Sequence, residues 1–241
     1  MGVLTSSGAL PGGGPPVGSG IMDTAADALL FDMDGTLVDS TPAVVRCWLA
    51  WAAEYGLTPA DFARIATHGR PAAEIIGDLL PPERLAGGGL DAALRRIEEL
   101  EVADTEGTVA LPGAVELLES LPAGSWAVVT SATRRLAEVR LKAAGLSAPV
   151  LVTADDVVRG KPDPEPFLLG ARMLDADPVS CVVLEDAPAG LAAARAAGMR
   201  SIAVTTTHPA SDLAADAVVE GLDRVRAAVV PGGLRVRAEA A

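Results

Sequence analysis

Lysine is nearly missing from this chain: of its 19 basic residues only Lys142 and Lys161 are lysines, and the rest are arginines. Positive charge as a whole is scarce, because 32 acidic residues leave a net charge of −13. That balance argues against a basic face for a nucleic-acid backbone or an anionic membrane surface. Aromatic residues make up only 3% of a chain that is half apolar, so any core must be packed mainly from Ala, Val and Leu. Two cysteines, Cys47 and Cys181, do not make a disulfide framework. Both sit in apolar periodic segments and read as buried thiols in a reducing cytoplasm. The start of the chain has no basic stretch followed by an apolar one, so no secretory segment is expected. No run is apolar enough for long enough to cross a bilayer.

With 241 residues there is room for one α/β domain with a sizeable core and a smaller insert. Residues 1–24 carry PGGGPPVGSG and no apolar period, which predicts a disordered tail. Ala28-Leu29-Leu30-Phe31 then reads as a short buried parallel strand. Thr41-Pro42 reads as the N-cap and first residue of a helix, Thr58-Pro59 as the start of a second, and further helices follow over roughly 71–80 and 90–103. The span 42–108 has no strand signal and is too long for an ordinary crossover, so it is expected to be a separate helical lid. Beyond Leu111-Pro112-Gly113, strands at 126–129, 150–152, 181–184, 202–204 and 217–219 alternate with helices. The fold class is therefore α/β, a doubly wound parallel sheet of the Rossmann-like kind with an inserted all-helical cap. The core is expected over 25–41 and 109–230, and residues 231–241 as a C-terminal tail.

The stretch that organises the rest is FDMDGTLVDS, residues 31–40. Asp32 and Asp34 stand at i and i+2 where the first strand ends, so both leave it toward the same side. The carboxyl end of a strand is where open α/β sheets bind ligands. An Asx-turn or helix-cap pair is the commoner use of such aspartates. The ten-residue string resembles the first motif of the haloacid-dehalogenase-like phosphatases. The resemblance implies that Asp32 attacks phosphorus and Asp34 serves as acid and base. It also implies three further parts: a strand-end hydroxyl, a lysine and a strand-end acidic pair.

All three are present in order. The strand at 126–129 runs into Thr130-Ser131-Ala132; either hydroxyl fits, and the Ser-Ala pattern of the phosphoglucomutase-like members favours Ser131. A helix cap is the ordinary use of such a junction. Lys161 lies in RGKPDP, in a chain that otherwise fills basic positions with arginine, which suggests a need for a compact ammonium. Glu185-Asp186 follows CVVL and precedes a helix, where acidic residues also serve the helix dipole. Together Asp32, Asp34, Glu185 and Asp186 would gather four carboxylates at one sheet edge. A hard divalent cation resolves that crowding, and Mg²⁺ suits a phosphate substrate. By resemblance its ligands are Asp32, the backbone carbonyl of Asp34 and Asp186, with Glu185 in or beside the shell.

In the helical block, His68 near a helix end reads as a capping residue or a substrate contact, and Arg70, between Gly69 and Pro71, as the better candidate to reach a substrate. The segments ATHGRP, LPGAVELL, GKPDPEP and LEDAPAGLAAARAAG are most similar to the sugar-phosphatase subgroup that includes glycerol-3-phosphate and 2-deoxyglucose-6-phosphate phosphatases. The expected function is Mg²⁺-dependent hydrolysis of small sugar or polyol phosphates by a cytoplasmic monomer. A phosphosugar mutase of the same subgroup is disfavoured, because its histidine and cap lysine positions hold Val44 and Ala66 here. A dehalogenase has no use for Asp34, and a non-enzymatic scaffold has no reason to keep Asp32, Asp34, Lys161 and Asp186 together.

Overall fold

A computed structural model of the chain describes residues 22–62 and 71–239. In chain order the strands and helices begin with β1 (Met22–Ala26), β2 (Ala28–Phe31) and β3 (Val38–Asp39). A helical block follows: α1 (Thr41–Glu54), α2 (Pro59–Phe62), α3 (Ala72–Leu79), α4 (Pro82–Leu85) and α5 (Gly89–Ala103). Next come β4 (Val109–Ala110), α6 (Ala114–Glu119), β5 (Trp126–Val129), α7 (Arg134–Ala143), β6 (Leu151–Val152) and α8 (Glu165–Met173). The chain closes with β7 (Cys181–Glu185), α9 (Pro188–Ala196), β8 (Arg200–Val204), β9 (Ala217–Val219), β10 (Val225–Val230) and β11 (Gly233–Ala238).

Six strands form a parallel sheet in the order β6-β5-β2-β7-β8-β9. From the central β2 the chain builds outward through β5 and β6, then crosses back to β7, β8 and β9. The order reverses at β2, and the crevice beyond its carboxyl end is the place where such sheets take ligands. β2 is buried along its whole length, and its alternation feeds two layers. Leu29 and Phe31 pack with Val128, Leu184 and Ile202 on one face; Ala28 and Leu30 pack with Val129, Phe167 and Val183 on the other. Small residues let the helices sit close, as where Gly170 of α8 rests against Val129 and Leu30.

The block from α1 to α5 has its own core of Cys47, Trp51, Ala52, Ile76, Leu80, Ala93 and Ile97. Trp51 is fully buried, stacks on Tyr55 and donates its indole N–H to the Ala93 carbonyl at 3.1 Å. Its packing role is thus structural. The chain enters and leaves the block through the short antiparallel pair of β3 and β4. The first helix starts one residue earlier than Thr41-Pro42 suggested: Ser40 is the N-cap, and the Thr41 N–H is taken by the Asp39 carboxylate at 3.0 Å.

Two terminal expectations are corrected. Residues 233–238, read as a tail, form β11, which pairs with β10 and with β1 in a three-stranded antiparallel sheet. Leu234, Val236 and Ala238 alternate inward while Arg235 and Arg237 face out. Met22–Thr24, assigned to a disordered segment, belong to β1, because Thr24 and Ala26 are buried in that sheet. Asp23 accepts from Arg235 and Arg237, and the hydrogen bond from Arg235, with the two charges behind it, holds its carboxyl below the usual range. The remainder of the expected disordered tail, residues 1–21, lies outside the described residues.

Candidate active site

β2 stays on the sheet ladder through the Asp32 N–H, which donates to the Leu184 carbonyl at 2.9 Å. A tight turn follows, with the Val38 N–H donating to Met33 and the Gly35 N–H to Val38. Gly35 has φ of +86°, and a β-carbon there would lie 2.3 Å from the Asp186 carboxylate. The turn therefore tolerates no side chain at 35, and it brings the first motif directly against β7.

Asp32, Glu185 and Asp186, all buried, place a carboxylate oxygen each within 4.8 Å of one another. The Lys161 ammonium lies 2.6 Å from Asp32 Oδ1 and 2.8 Å from Glu185 Oε1, with the Phe167 ring 5.0 Å away on another side. Burial works against the lysine's charge, yet the two carboxylates outweigh it and Lys161 is pushed above its ordinary pKa. Glu185 is committed elsewhere as well: its Oε2 accepts from the Asp186 and Ala187 N–H groups at 2.9 and 2.7 Å. Asp186 accepts from the Thr36 hydroxyl at 3.2 Å and from Thr207.

One ammonium cannot balance three buried carboxylates. Burial, together with Glu185 and Asp186, raises Asp32 well above the usual range despite Lys161. Burial and then the Glu185 charge push Asp186 up to about 7. The deficit is one of positive charge among oxygen ligands, which a hard divalent cation fits.

Asp34 lies outside that cluster. Its Oδ1 accepts from the Ser40 hydroxyl at 2.6 Å and its Oδ2 from Arg140 at 2.9 Å. Thr130 is buried, with its hydroxyl oxygen accepting from the Ala132 N–H at 3.1 Å. Ser131 is exposed, and its hydroxyl makes no hydrogen bond to a described residue. His68 and Arg70 lie outside the described residues, as does Ala66.

Sequence reading passed over several groups. Thr36 sits inside the first motif. Thr206, Thr207 and His208 follow β8, and His208 Nδ1 is 3.1 Å from the Asp186 carbonyl, so that loop adjoins the acidic cluster. A run of threonines after a predicted strand was the available signal. Ser40 closes the ten-residue string without a role of its own being readable there, and Arg140 had no signal, since helix arginines are not unusual.

The profile of the haloacid dehalogenase-like hydrolases matches residues 26–198. Hexitol phosphatase A of Escherichia coli is 43% identical over 208 residues, covering 85% of this chain and 95% of the relative. Glycerol-1-phosphate phosphohydrolase 2 of Saccharomyces cerevisiae is 35% identical over 193 residues, covering 75% of each. Among solved structures, CbbY of Rhodobacter sphaeroides in complex with xylulose-(1,5)bisphosphate superposes with a TM-score of 0.70 at 27% identity, over 82% of this chain and 95% of that one.

Proposed function

The chain belongs to the haloacid dehalogenase-like hydrolase family, and from that premise we propose how its residues divide the work of hydrolysing small sugar or polyol phosphate monoesters. The observation that carries the reading is the buried Asp32–Lys161–Glu185–Asp186 cluster at the carboxyl ends of the two central strands. A carboxylate oxygen of Asp32 attacks phosphorus, and the bond to the leaving sugar or polyol oxygen breaks. Asp34 gives that oxygen its proton. In the second transfer Asp34 takes a proton from water as the water oxygen attacks phosphorus. The bond to Asp32 then breaks, freeing inorganic phosphate and restoring both aspartates.

Lys161 keeps Asp32 aimed and supplies positive charge beside the phosphoryl oxygens. The exposed Ser131 hydroxyl is the better placed of the two candidates to donate to one of them, because Thr130 is buried. Asp32, Asp186 and the Asp34 backbone carbonyl would hold Mg²⁺, with Glu185 beside them as the holder of Lys161. When bound, the ion supplies charge to the phosphoryl oxygens and compensates the buried carboxylates.

The helical block serves as the cap over this site, with Arg70 and His68 as its substrate-binding residues. A complete set of reacting groups on one chain supports action as a monomer. Two buried free thiols, with no helix of the described residues long and apolar enough to cross a membrane, support a cytoplasmic setting. Hydrolysis of a panel of hexitol, glycerol and hexose phosphates by Mg²⁺-loaded protein tests the reading. Absence of phosphate release from every ester would overturn it.

A further inference from the structure

Arg140 lies on α7, which carries none of the reacting groups, and it is only 7% exposed. Its guanidinium donates from Nη1 to Asp34 Oδ2 at 2.9 Å, while Nη2 stands 3.4 Å from Glu101 Oε1. The Ser40 hydroxyl occupies the other Asp34 oxygen at 2.6 Å. Each oxygen of the acid and base residue thus already carries one donor, and one of the two ties Asp34 to α7. Glu101 comes from α5 of the helical block and is itself largely buried, with the Trp48 indole as a further donor. One turn away on the same helix face, Glu98 accepts from the Thr133 hydroxyl at 2.6 Å, and Thr133 is the N-cap of α7. Two glutamates therefore dock α5 on α7, and the second fixes how close Glu101 stands to Arg140.

We propose that Arg140 is a positioning residue that holds Asp34 away from the reaction between turnovers, and that Glu101 is the alternative partner that allows Asp34 to leave. A guanidinium cannot shed its charge, and a buried one is costly to leave unpaired. When Asp34 carries the proton for the leaving group it is no longer an anion, and another must take over Arg140. The 3.4 Å separation from Glu101 exceeds that of a good charge-assisted hydrogen bond. A shift of about half an ångström closes it to full strength. Glu101 thus offsets the cost of releasing Asp34 without meeting substrate. The inference rests on the reading of Asp34 as acid and base given above.

The test compares glycerol phosphate, a poor leaving group, with p-nitrophenyl phosphate, a good one. Glu101→Gln keeps the shape but weakens the alternative partner. It should lower kcat for glycerol phosphate about tenfold with KM unchanged, and leave the first nitrophenol transfer at the wild-type rate. In an Arg140→Gln background the same change should alter kcat by less than about twofold, because no charge remains to be handed over. Melting curves establish that the variants fold. If Arg140→Gln does not, Arg140→Met serves as the background, since it keeps the length of the stem without the charge, and the Glu101→Gln effect should shrink there too. Equal losses on the two esters, a change confined to KM, or full losses from Glu101→Gln in both backgrounds would overturn the proposal. An Asp34→Asn variant run alongside separates the causes: failure of its own leaving-group dependence overturns the acid and base reading, whereas its success with additive losses overturns only the role of Arg140.

Discussion

Gly190 and Glu185 compete for the same volume: a β-carbon on Gly190 would lie 1.8 Å from Glu185 Oε1. That oxygen is the one bound to Lys161, so the bare first turn of α9 is what lets Glu185 hold the lysine. Gly190→Ala should displace Glu185 and lower kcat about ten- to a hundredfold, the worth of a charge-assisted hydrogen bond. A melting curve close to wild type with that loss would place the effect at the site; unchanged kcat would show that Glu185 is dispensable to Lys161.

The paired aspartates should fail differently. Asp32→Asn removes the nucleophile, and activity should vanish on every ester. Asp34→Asn should cost on the order of 10²–10⁴-fold on an alkyl phosphate, the range of a lost proton transfer. On p-nitrophenyl phosphate it should still release about one nitrophenol per site in a burst, followed by slow turnover. Equal loss on both esters with no trapped phosphoenzyme would make Asp34 a structural aspartate.

Lysine at 161 should resist its conventional replacement. The ammonium contacts two carboxylates from a buried position beside Phe167, where a planar fork has no room to form the same pair of bonds. Lys161→Arg should lose about a hundredfold or more in kcat, comparable to removal of a donor to the transition state. Recovery to within a few-fold of wild type would mean that only the charge matters.

Metal and pH should be linked in a definite direction. Asp186 is raised to about 7 from an ordinary value of 3.8, so the metal-free fold binds a proton between those values that the unfolded chain does not. Stability of the metal-free protein should therefore fall as pH rises through that window. Mg²⁺ favours the ionised carboxylates, and its addition should raise Tm more at pH 8 than at pH 5. Removal by EDTA should abolish turnover. An equal Tm rise at both pH values would separate the ion from these carboxylates.

Arg70→Ala should raise KM for the best substrate and reorder the substrates, with the rate of the first nitrophenol transfer unchanged. Unchanged KM and ranking would remove Arg70 from the site.

The strand-end groups were legible because each sits beside a short apolar run that can only be a buried strand: ALLF before Asp32, WAVV before Thr130-Ser131, CVVL before Glu185-Asp186. Lys161 stood out through the scarcity of its own kind. Groups that matter through distant contacts left no local trace. Arg140 meets Asp34 across 106 residues and Thr207 meets Asp186 across the loop after β8, and neither neighbour can be read from spacing. The β10–β11 hairpin was missed although Leu234, Val236 and Ala238 alternate with arginines, because its partner β1 lies at the other end of the chain.

That pairing sets an order of assembly. Met22 lies opposite Ala238 and Ala26 opposite Leu234, so β1 leaves the ribosome ahead of the parallel sheet and meets its partner strand only after all of that sheet has been made. The parallel sheet needs nothing beyond β9 for its own ladder and can form while synthesis continues. β1, joined to β2 through Asp27 alone, must wait with Thr24 and Ala26 uncovered until β11 has been made. A stalled or truncated product ending before residue 233 would carry an assembled reaction centre and an unpaired strand edge, a surface open to other chains.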